Sequence, residues 1–397
     1  MEMNLEIMRN IDEHYVMPTY GRSPVLFVRG KGAKLFDADG REYIDFGSGI
    51  GVNSLGYADR KWVHAVQAQA KQLAHVSNLY YSPNYIMLAE ALCNIAGMEQ
   101  VFFGNSGAEA NEGAIKLARK YSFDKYGKGR HTIVTLVNSF HGRTLTTLSA
   151  TGQDVFHNYF FPFTEGFKFV PANDIAALEA ALDGTVCAVM LEPVQGEGGV
   201  MPLDREFFQK AAALAAEKDI LLICDEVQTG TGRTGTFLAS QQYGVKPDIV
   251  TLAKGLGGGL PIGAFLCNKK LAGVMGKSSH GSTFGGNPIA CAGALAVLER
   301  LSEPGMLETV ASRGEYIRGK IRGFMDPHIG DVRGMGLMIG VELVGVEVAD
   351  LLTKLRENGL IALSAKSVLR LLPPLTITKA ETDKGLAALK KTLAELP

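Results

Sequence analysis

Short apolar runs alternate with amphipathic stretches through the middle of the chain. The runs are residues 131–137 (HTIVTLV), 187–193 (CAVMLEP), 220–227 (ILLICDEV) and 248–254 (DIVTLAK). Stretches such as residues 61–73 repeat their apolar positions at helical spacing. This alternation is typical of strand–helix–strand units whose strands pair in parallel. It predicts an α/β fold with a mostly parallel sheet that is covered by helices on both faces.

The two ends of the chain show a second pattern. Residues 25–46 predict a hairpin that turns at Asp39-Gly40, with a strand on either side. A long helical pattern then leads away from the central region and is followed by further elements. These are the helix over residues 288–301, strands within 332–343, a helix over 348–359 that ends at a glycine, and a strand around 368–374 before a last helix.

The patterns predict two domains, the smaller of which is discontinuous. We expect residues 1–52 and 286–397 to pack together as a small α/β domain. Residues 53–285 are expected to form the large domain that contains the mostly parallel sheet. A chain of 397 residues is long enough to bury both cores.

Composition and charge exclude several classes of protein. The chain is 46% hydrophobic and 20% charged, with a formal net charge of −1 and no basic block, so binding to nucleic acid or an anionic membrane is not expected. No run approaches the ~20 apolar residues of a membrane span, and the N-terminus lacks a signal peptide's apolar region. The five cysteines are scattered and contain no CxxC. We therefore expect reduced cysteines, no metal site and a cytoplasmic location.

An acidic pair stands at the end of one apolar run. The segment LLICDEVQTG (residues 221–230) places Asp225 and Glu226 where a buried carboxylate is costly unless it is compensated. Ligands of open α/β sheets bind beyond the carboxyl ends of the strands. The next run ends at Lys254, followed by the glycine-rich loop GLGGGLP. A lysine placed there forms a Schiff base when its pKa is lowered, although a solvated loop lysine is the alternative.

Two other strand ends carry candidate ligand-binding residues. Residues 102–120 run from an apolar strand through Asn-Ser-Gly-Ala into a helix, whose first N–H groups are placed to hold phosphate or simply to be capped. Phe140 and Arg143 follow another strand, and a core ring and a surface charge are their alternatives. Together with Asp225 and Lys254, these features meet the needs of pyridoxal phosphate, which requires a lysine, an acid, an aromatic ring and a phosphate cradle.

One glycine-rich motif favours a different cofactor. GTGRTG (residues 230–235) matches the dinucleotide-binding fingerprint and keeps a nicotinamide-dependent dehydrogenase open as an alternative. Such a turn should open a helix, whereas the following TGTFLASQQYGVKP forms a poor one, and Asp225 and Glu226 would repel a pyrophosphate. A racemase or aminomutase that uses pyridoxal phosphate is another alternative, and it would need no amino acceptor.

Several long motifs resemble those of one enzyme family. In chain order they are NSGAEANEGAIKLAR, SFHGRT, EPVQGEGG, LLICDEVQTGTGRTG, LAKGLGGGLPIGA, GSTFGGNP and LRLLPPLTIT. They resemble the class III (ornithine-type) aminotransferases over about residues 17–378, nearly the whole chain. The resemblance implies a fold type I transferase that depends on pyridoxal phosphate and works as a homodimer with active sites at the subunit interface.

The resemblance also implies roles for individual residues. For the cofactor, these are Gly107 and Ala108 at the phosphate with Ser106 adjacent, Phe140 stacked on the ring, Asp225 at the pyridinium, Val227 beneath the ring, Gln228 near the phenolic oxygen, Lys254 on the aldehyde, and Thr283 at the phosphate from the other subunit. For the substrates, they are Arg143 at a distant carboxylate, Arg370 at a near carboxylate, Glu197 paired with Arg370, Ser282 across the interface, and Tyr20 close by.

The implied reaction moves an amino group in two halves. Lys254 would act as general base and acid, and 2-oxoglutarate would then take the amino group and leave as glutamate. We expect N2-acetyl-L-ornithine as the donor, giving N-acetyl-L-glutamate 5-semialdehyde in arginine biosynthesis. Gly49 favours an acylated donor because it falls where plain ornithine aminotransferases carry a bulky tyrosine. Ornithine, succinylornithine, succinyldiaminopimelate and 4-aminobutyrate are the alternative donors.

Two segments depart from the pattern of the family. GYADR (residues 56–60) stands where relatives often read Gly-His-x-His-Pro, and we expect it to open a helix with little catalytic consequence. LSAKSVLR (residues 363–370) lacks the glycine-containing turn that is expected before Arg370. The conformation of that turn therefore bears on the position of Arg370.

Overall fold

The computed structural model describes residues 4–396 of the chain. Its strands are β1 (Phe27–Lys31), β2 (Lys34–Asp37), β3 (Glu42–Asp45), β4 (Gln100–Gly104), β5 (Thr132–Leu136), β6 (Phe167–Val170), β7 (Val186–Leu191), β8 (Val194–Gln195), β9 (Met201–Pro202), β10 (Leu221–Asp225), β11 (Ile249–Leu252), β12 (Gly263–Cys267), β13 (Ile329–Met335), β14 (Met338–Leu343), β15 (Leu360–Ile361), β16 (Leu363–Ala365) and β17 (Val368–Leu371). Its helices are α1 (Leu5–Tyr15), α2 (Ser48–Gly51), α3 (Arg60–Gln72), α4 (Pro83–Ala96), α5 (Gly107–Tyr126), α6 (Leu145–Ala150), α7 (Ile175–Ala181), α8 (Arg205–Glu217), α9 (Ser240–Tyr243), α10 (Pro288–Leu301), α11 (Met306–Arg322), α12 (Val348–Glu357) and α13 (Lys379–Ala394).

Seven strands form the central sheet, in the order β4-β12-β11-β10-β7-β5-β6. Only β12 runs antiparallel to its neighbours, β4 and β11, and the other adjacent pairs of this sheet are parallel. The prediction of a mostly parallel sheet is therefore confirmed. The four apolar runs that predicted strands contain β5, β7, β10 and β11.

Both faces of the central sheet are buried, so its strands are continuous apolar runs rather than alternating ones. On β10, Leu222 and Cys224 pack with Phe207 of α8 on one face. Leu221 and Ile223 pack with residues of α5 on the other face. Because successive side chains of a strand point to opposite faces, one buried run contributes to both cores.

The two ends of the chain build two further sheets of four strands. One has the order β1-β2-β3-β15, and its parallel β3–β15 pair joins the N-terminal segment to the C-terminal one. The predicted hairpin at Asp39-Gly40 is the β2–β3 pair, and a second hairpin, β1–β2, was not predicted. The other sheet has the order β13-β14-β17-β16. A smaller α/β region made from both ends of the chain therefore accompanies the large sheet, as predicted.

The predicted helix over residues 288–301 is α10, with the same bounds. Its residues Val297 and Leu298 belong to the same buried cluster as Leu88 and Leu92 of α4. The boundaries proposed for the two domains stay a prediction.

Three general features hold over residues 4–396. No helix in that range is long and apolar enough to cross a membrane. The five cysteines are free, and no group of three or more His, Cys, Asp or Glu in the same range is placed to hold a metal ion.

Candidate active site

Strands β4, β5, β7, β10 and β11 point in the same direction, so their carboxyl ends meet at one edge of the sheet. A cavity of about 440 Å³ lies at this edge. Its walls include Ser106, Gly107, Ala108, Phe140, Arg143, Asp225, Val227, Gln228 and Lys254. The residues predicted from separate strand ends thus surround one cavity.

A larger groove of about 730 Å³ lies beside α4 and the outer strand β4. The titratable residues that line it include Glu90, Glu99 and His280. No lysine or arginine is among the described residues of its lining. It therefore offers neither an amine for an aldehyde nor a permanent cation for a phosphate, and the smaller cavity is the candidate site.

Asp225 ends β10 and is only 3% exposed. Its Oδ2 accepts hydrogen bonds from Nδ2 of Asn111 and Nδ1 of His141, each at 2.8 Å. Its Oδ1 accepts a hydrogen bond from the N–H of Val227 at 3.0 Å. Three donors offset the cost of burying this carboxylate and fix it at the wall of the cavity.

Asn111 and His141 were missed in the sequence analysis. Asn111 lies on α5 and His141 follows β5, and the carbonyl of His141 accepts a second hydrogen bond from Asn111 Nδ2 at 2.7 Å. Asn111 lies in NSGAEANEGAIKLAR and His141 in SFHGRT, but no local pattern indicates that the two side chains meet at Asp225. Asn111 Oδ1 and His141 Nε2 are buried and have no partner within residues 4–396.

The N-terminus of α5 provides backbone donors at one end of the cavity. Ser106 caps the helix, and its Oγ accepts a hydrogen bond from the N–H of Glu109 at 3.2 Å. Gly107 and Ala108 begin the helix, where N–H groups lack acceptors within the helix. A Cβ on Gly107 would lie 2.7 Å from Cγ1 of Val227, so this close approach requires glycine.

Lys254 follows β11 and lies on the cavity wall. Burial lowers the pKa of its ammonium below the ordinary value, against the opposing effect of the Glu197 carboxylate and with a smaller lowering effect from Arg370. Its backbone adopts a left-handed conformation with φ of +43°, which is unfavourable for a side chain of this kind. Such strain is found where the surrounding structure fixes a functional side chain.

Arg370 on β17 is 3% exposed and forms an ion pair with Glu197. Its Nη1 donates to Oε1 of Glu197 at 2.6 Å and to Oε1 of Gln228 at 3.2 Å. Burial alone would raise the pKa of Glu197, but the Arg370 guanidinium lowers it below the ordinary value. Glu197 therefore stays ionised at neutral pH and masks the charge of Arg370.

The two segments that depart from the family pattern, GYADR and LSAKSVLR, both form well-defined local structure. Asp59, in GYADR, caps α3, and its side chain accepts hydrogen bonds from the N–H groups of Lys61 and Trp62. The turn before Arg370 forms without glycine, because Lys366 itself adopts φ of +54°. β16 and β17 remain paired, with Leu363 opposite Arg370, so the lysine does not disturb the strand.

Arg143 is exposed at the cavity and has no carboxylate within salt-bridge distance among the described residues. Its guanidinium lies 3.9 Å from the ring centroid of Phe156 and 5.6 Å from that of Phe140. Stacking fixes the plane of the guanidinium and leaves its N–H groups available for a ligand carboxylate.

Glu192 is a further residue of the cavity wall that the sequence did not single out. It follows β7, and its carboxylate accepts hydrogen bonds from the N–H groups of Phe140 at 2.9 Å and Gly196 at 3.3 Å. Burial raises the pKa of Glu192 to about 7. Its place in EPVQGEGG gave no signal, because only the folded chain brings it next to Phe140.

Five predicted residues do not line the cavity of their own chain: Glu197 and Arg370, which both contact Gln228 of its wall, and Thr283, Tyr20 and Ser282. Thr283 is exposed, and Tyr20 is 75% exposed. Ser282 accepts a hydrogen bond at its Oγ from Nδ2 of Asn105, a cavity residue, at 3.3 Å. Within residues 4–396, Ser282 therefore contacts the wall of the site, whereas Thr283 and Tyr20 lie on the surface of the chain.

The residues of the cavity fit pyridoxal phosphate. The start of α5 offers backbone donors to a phosphate, and the glycine there leaves the space that a Cβ would fill. Phe140 offers a ring face, Asp225 a carboxylate for the pyridine nitrogen, and Lys254 an amine of lowered pKa.

This fold and this site define a transferase that depends on pyridoxal phosphate, of the fold type I architecture. A profile described as aminotransferase class-III matches residues 15–393, and the chain belongs to the class III aminotransferases. The predicted family, fold class and cofactor are therefore confirmed.

Individual relatives support the same conclusion. The acetylornithine aminotransferase of Haemophilus ducreyi is 51% identical over 396 residues, which are 99% of this chain and 100% of that protein. The ornithine aminotransferase of Toxoplasma gondii, with partial occupancy of pyridoxal phosphate at its active site, has a TM-score of 0.96 at 34% identity and covers 99% of this chain and 95% of its own. The N-acetylornithine aminotransferase of Stenotrophomonas maltophilia has a TM-score of 0.84 at 37% identity, covering 97% and 98%.

The alternative of a nicotinamide-dependent dehydrogenase has no support. The GTGRTG loop opens no helix of its own, and only the four-residue α9 follows it at Ser240–Tyr243. The guanidinium of Arg233 within this motif is buried against backbone carbonyls instead of facing a ligand phosphate.

Proposed function

We propose that this protein is an acetylornithine aminotransferase, which transfers the terminal amino group of N2-acetyl-L-ornithine to 2-oxoglutarate. The products are N-acetyl-L-glutamate 5-semialdehyde and L-glutamate, a step of arginine biosynthesis. The proposal is supported by the relative in Haemophilus ducreyi, which has this activity by name and aligns over its full length. The observation that carries it is that the site has one unmasked arginine, Arg143, and one masked arginine, Arg370.

The two arginines suit two amino donors of different shape. N-acetylornithine reacts at its terminal amine, so its carboxylate lies far from the reacting carbon and can bind Arg143. Glutamate reacts at its α-amine and brings a second carboxylate close, which needs Arg370. While Glu197 pairs with Arg370, the near position stays closed to α-amino acids, and a dicarboxylate must displace Glu197 to enter.

Each residue of the cavity has a role in this proposal. Gly107 and Ala108 would hold the cofactor's phosphate, Phe140 would cover its ring, and Lys254 would hold its aldehyde carbon. When bound, pyridoxal phosphate supplies the electron sink for the substrate carbon that loses a proton. Lys254 Nζ would remove this proton and return it as general base and acid, a task that its lowered pKa favours.

Asp225 would keep the ring nitrogen protonated. Its carboxylate is oriented by Asn111 and His141, so it does not need to reorganise when the reaction begins. Gln228, which donates to Glu197 and accepts from Arg370, would contact the phenolic oxygen of the ring.

We also propose a homodimer in which Thr283 completes the phosphate site of the partner. Thr283 lies on the surface beside Phe284, which is 62% exposed. Asn78 donates hydrogen bonds to the carbonyls of Ser282 and Gly285, so the neighbouring exposed residues of the segment 79–81 belong to the same surface. Burial of this apolar surface by a second copy would supply the association energy.

The cytoplasm is the compartment that we propose. All five cysteines are free, and four of them are buried, which suits a reducing environment.

A comparison of donors tests the proposed function. The ratio kcat/KM is measured with 2-oxoglutarate and each of N-acetylornithine, ornithine, succinylornithine, succinyldiaminopimelate and 4-aminobutyrate. We expect N-acetylornithine to give the highest value and plain ornithine to fall at least about tenfold lower, because Gly49 leaves space for an acyl group. The Lys254→Ala variant at the same cofactor concentration corrects for uncatalysed transfer. A higher value for ornithine or 4-aminobutyrate would overturn the proposed substrate.

A further inference from the structure

The GTGRTG motif has no part in cofactor binding, yet its arginine is one of the most completely buried charges of the structure. Arg233 is 3% exposed, and its Nη1 donates to the carbonyls of Leu337 at 3.1 Å and Pro373 at 2.5 Å. The carbonyl of Arg233 in turn accepts a hydrogen bond from the N–H of Leu337 at 3.0 Å. Side chain and backbone of one residue thus bind the same turn.

The two carbonyls flank the β14–β17 strand pair, of which β17 carries Arg370. Leu337 lies immediately before β14, and Pro373 lies two residues after the end of β17. β14 and β17 pair antiparallel, with Gly340 opposite Arg370. Arg233 therefore binds both segments at the end of this strand pair, and Pro373 lies three residues along the chain from Arg370.

The backbone of Arg233 belongs to the loop that starts at the cofactor site. The loop follows Asp225 directly and includes Gln228, which contacts Arg370 from the cavity side. A Cβ on Gly336 would lie 2.4 Å from the backbone of Thr234, so the loop and the turn approach as closely as a glycine permits. This junction therefore connects the loop after Asp225 to the strand pair that carries Arg370.

The charge of Arg233 has a counter-charge in the N-terminal segment. Burial lowers the pKa of Arg233, and the Asp45 carboxylate opposes this effect. Asp45 is itself buried and accepts hydrogen bonds from Tyr57 Oη at 2.8 Å and from the N–H of Gly47 at 2.7 Å. Both hydrogen bonds come from Nη1, and a lysine would retain the charge but replace the rigid, planar guanidinium with a flexible ammonium.

We propose that Arg233 is a positioning residue for Arg370, which sets where the near carboxylate of a dicarboxylate substrate binds relative to the cofactor. This inference rests on the proposed function, because it assigns Arg370 to glutamate and 2-oxoglutarate. Arg143 lies on the loop after β5, and within residues 4–396 its side chain forms no hydrogen bond or ion pair with the β14–β17 pair. Loss of Arg233 should therefore impair the dicarboxylate substrates and spare the carboxylate of N-acetylornithine.

The test uses Arg233→Lys in the dimeric holoenzyme, with Arg318→Lys as the matched control. Arg318 is also buried and donates from Nη1 to the carbonyl of Gly336 at 3.0 Å, but it comes from α11 and does not contact the loop after Asp225. The first readout is the dissociation constant of glutarate, a dicarboxylate without an amine, measured by calorimetry. The second is the rate of each half-reaction in a single turnover, with glutamate or N-acetylornithine as donor.

We expect Arg233→Lys to weaken glutarate binding and slow the glutamate half-reaction by about tenfold or more, since a displacement near 1 Å has effects of this size. The N-acetylornithine half-reaction should change less than about threefold. Arg318→Lys should lower the melting temperature and leave the ratio of the two half-reactions unchanged.

Two results would overturn the inference, and both differ from a failure of the proposed function. One is an Arg233→Lys variant whose glutarate affinity equals that of the wild type. The other is an equal loss for both donors in Arg233→Lys and Arg318→Lys, which would make Arg233 a stabilising residue only. If the wild type itself transfers no amino group from N-acetylornithine, the proposed function fails first.

Discussion

Replacement of Glu197 by glutamine should remove the mask from Arg370 with little change in shape. The ion pair is short, at 2.6 Å, and the Arg370 side chain is almost fully buried, so water screens it weakly. Arg370 keeps its charge in the variant, so what is lost is the charge of its partner. Exposed ion pairs contribute about 0–1 kcal/mol, and loss of one partner of a buried pair costs about 3–5 kcal/mol. The Glu197 side chain is 28% exposed, so the pair lies between these limits, and about 1–2 kcal/mol is what glutamate no longer has to overcome.

This difference corresponds to about 5- to 30-fold tighter binding of glutamate in the Glu197→Gln variant. The half-reaction with N-acetylornithine should change less than about twofold, because we propose that its carboxylate binds Arg143, which lies on a different loop. Single-turnover absorbance of the bound cofactor, measured as a function of donor concentration, gives the affinity and rate for each donor separately.

A control separates masking from a general effect of charge. Glu315→Gln breaks another glutamate–arginine pair, with Arg318, at an exposed position far along the chain. It should leave both half-reactions unchanged. If Glu197→Gln alters both donors by the same factor, or leaves the glutamate affinity as it was, the masking of Arg370 is refuted.

Other changes at the cavity have directions that follow from the structure. Asp225→Asn should retain the absorbance of bound cofactor but lower kcat by about 10²-fold or more, because a neutral amide does not stabilise a protonated ring nitrogen. Gly107→Ala should raise the dissociation constant of the cofactor by about tenfold, since the added Cβ would lie 2.7 Å from Val227; Gly184→Ala, with no atom within 4 Å, is its control. Glu192 has a pKa raised to about 7 by burial, so its ionisation lowers stability as pH rises through that value. Glu192→Gln should therefore reduce the loss of stability that the cofactor-free protein shows between about pH 5 and 8, by at most about 3 kcal/mol. The measurement is a smaller fall in melting temperature over the same pH range.

The patterns that predicted the central sheet worked because its strands are buried on both faces. A run such as residues 221–225 is apolar at every position, and both of its faces contact helices. The direction of β12 was not predictable in this way, since five apolar residues do not show whether their neighbours run parallel. The β1–β2 hairpin was missed for another reason: β1 has exposed and partly exposed positions, so its apolar signal is weak.

The position of a residue at a strand end was enough to predict Asp225 and Lys254 as site residues. Their surroundings required the fold, because the groups that orient Asp225 come from elements far apart in sequence. GTGRTG matched a nucleotide fingerprint only by its glycine spacing, whereas its glycines pack against Leu252, Leu301 and Ala311, and Gly336 of the facing turn packs against its backbone. A glycine-rich pattern reports close packing of backbone, and the identity of the packed partner comes only from three dimensions.

The central claim is that the terminal nitrogen of N-acetylornithine becomes the amino group of glutamate. It is tested most directly with N-acetylornithine that carries an isotopic label on the terminal nitrogen, incubated with 2-oxoglutarate and the holoenzyme, followed by mass spectrometry of the glutamate formed. We predict that the glutamate carries the label and that a sample labelled on the acetylated nitrogen gives unlabelled glutamate. Glutamate without label in the first sample, or no glutamate at all, would contradict the account.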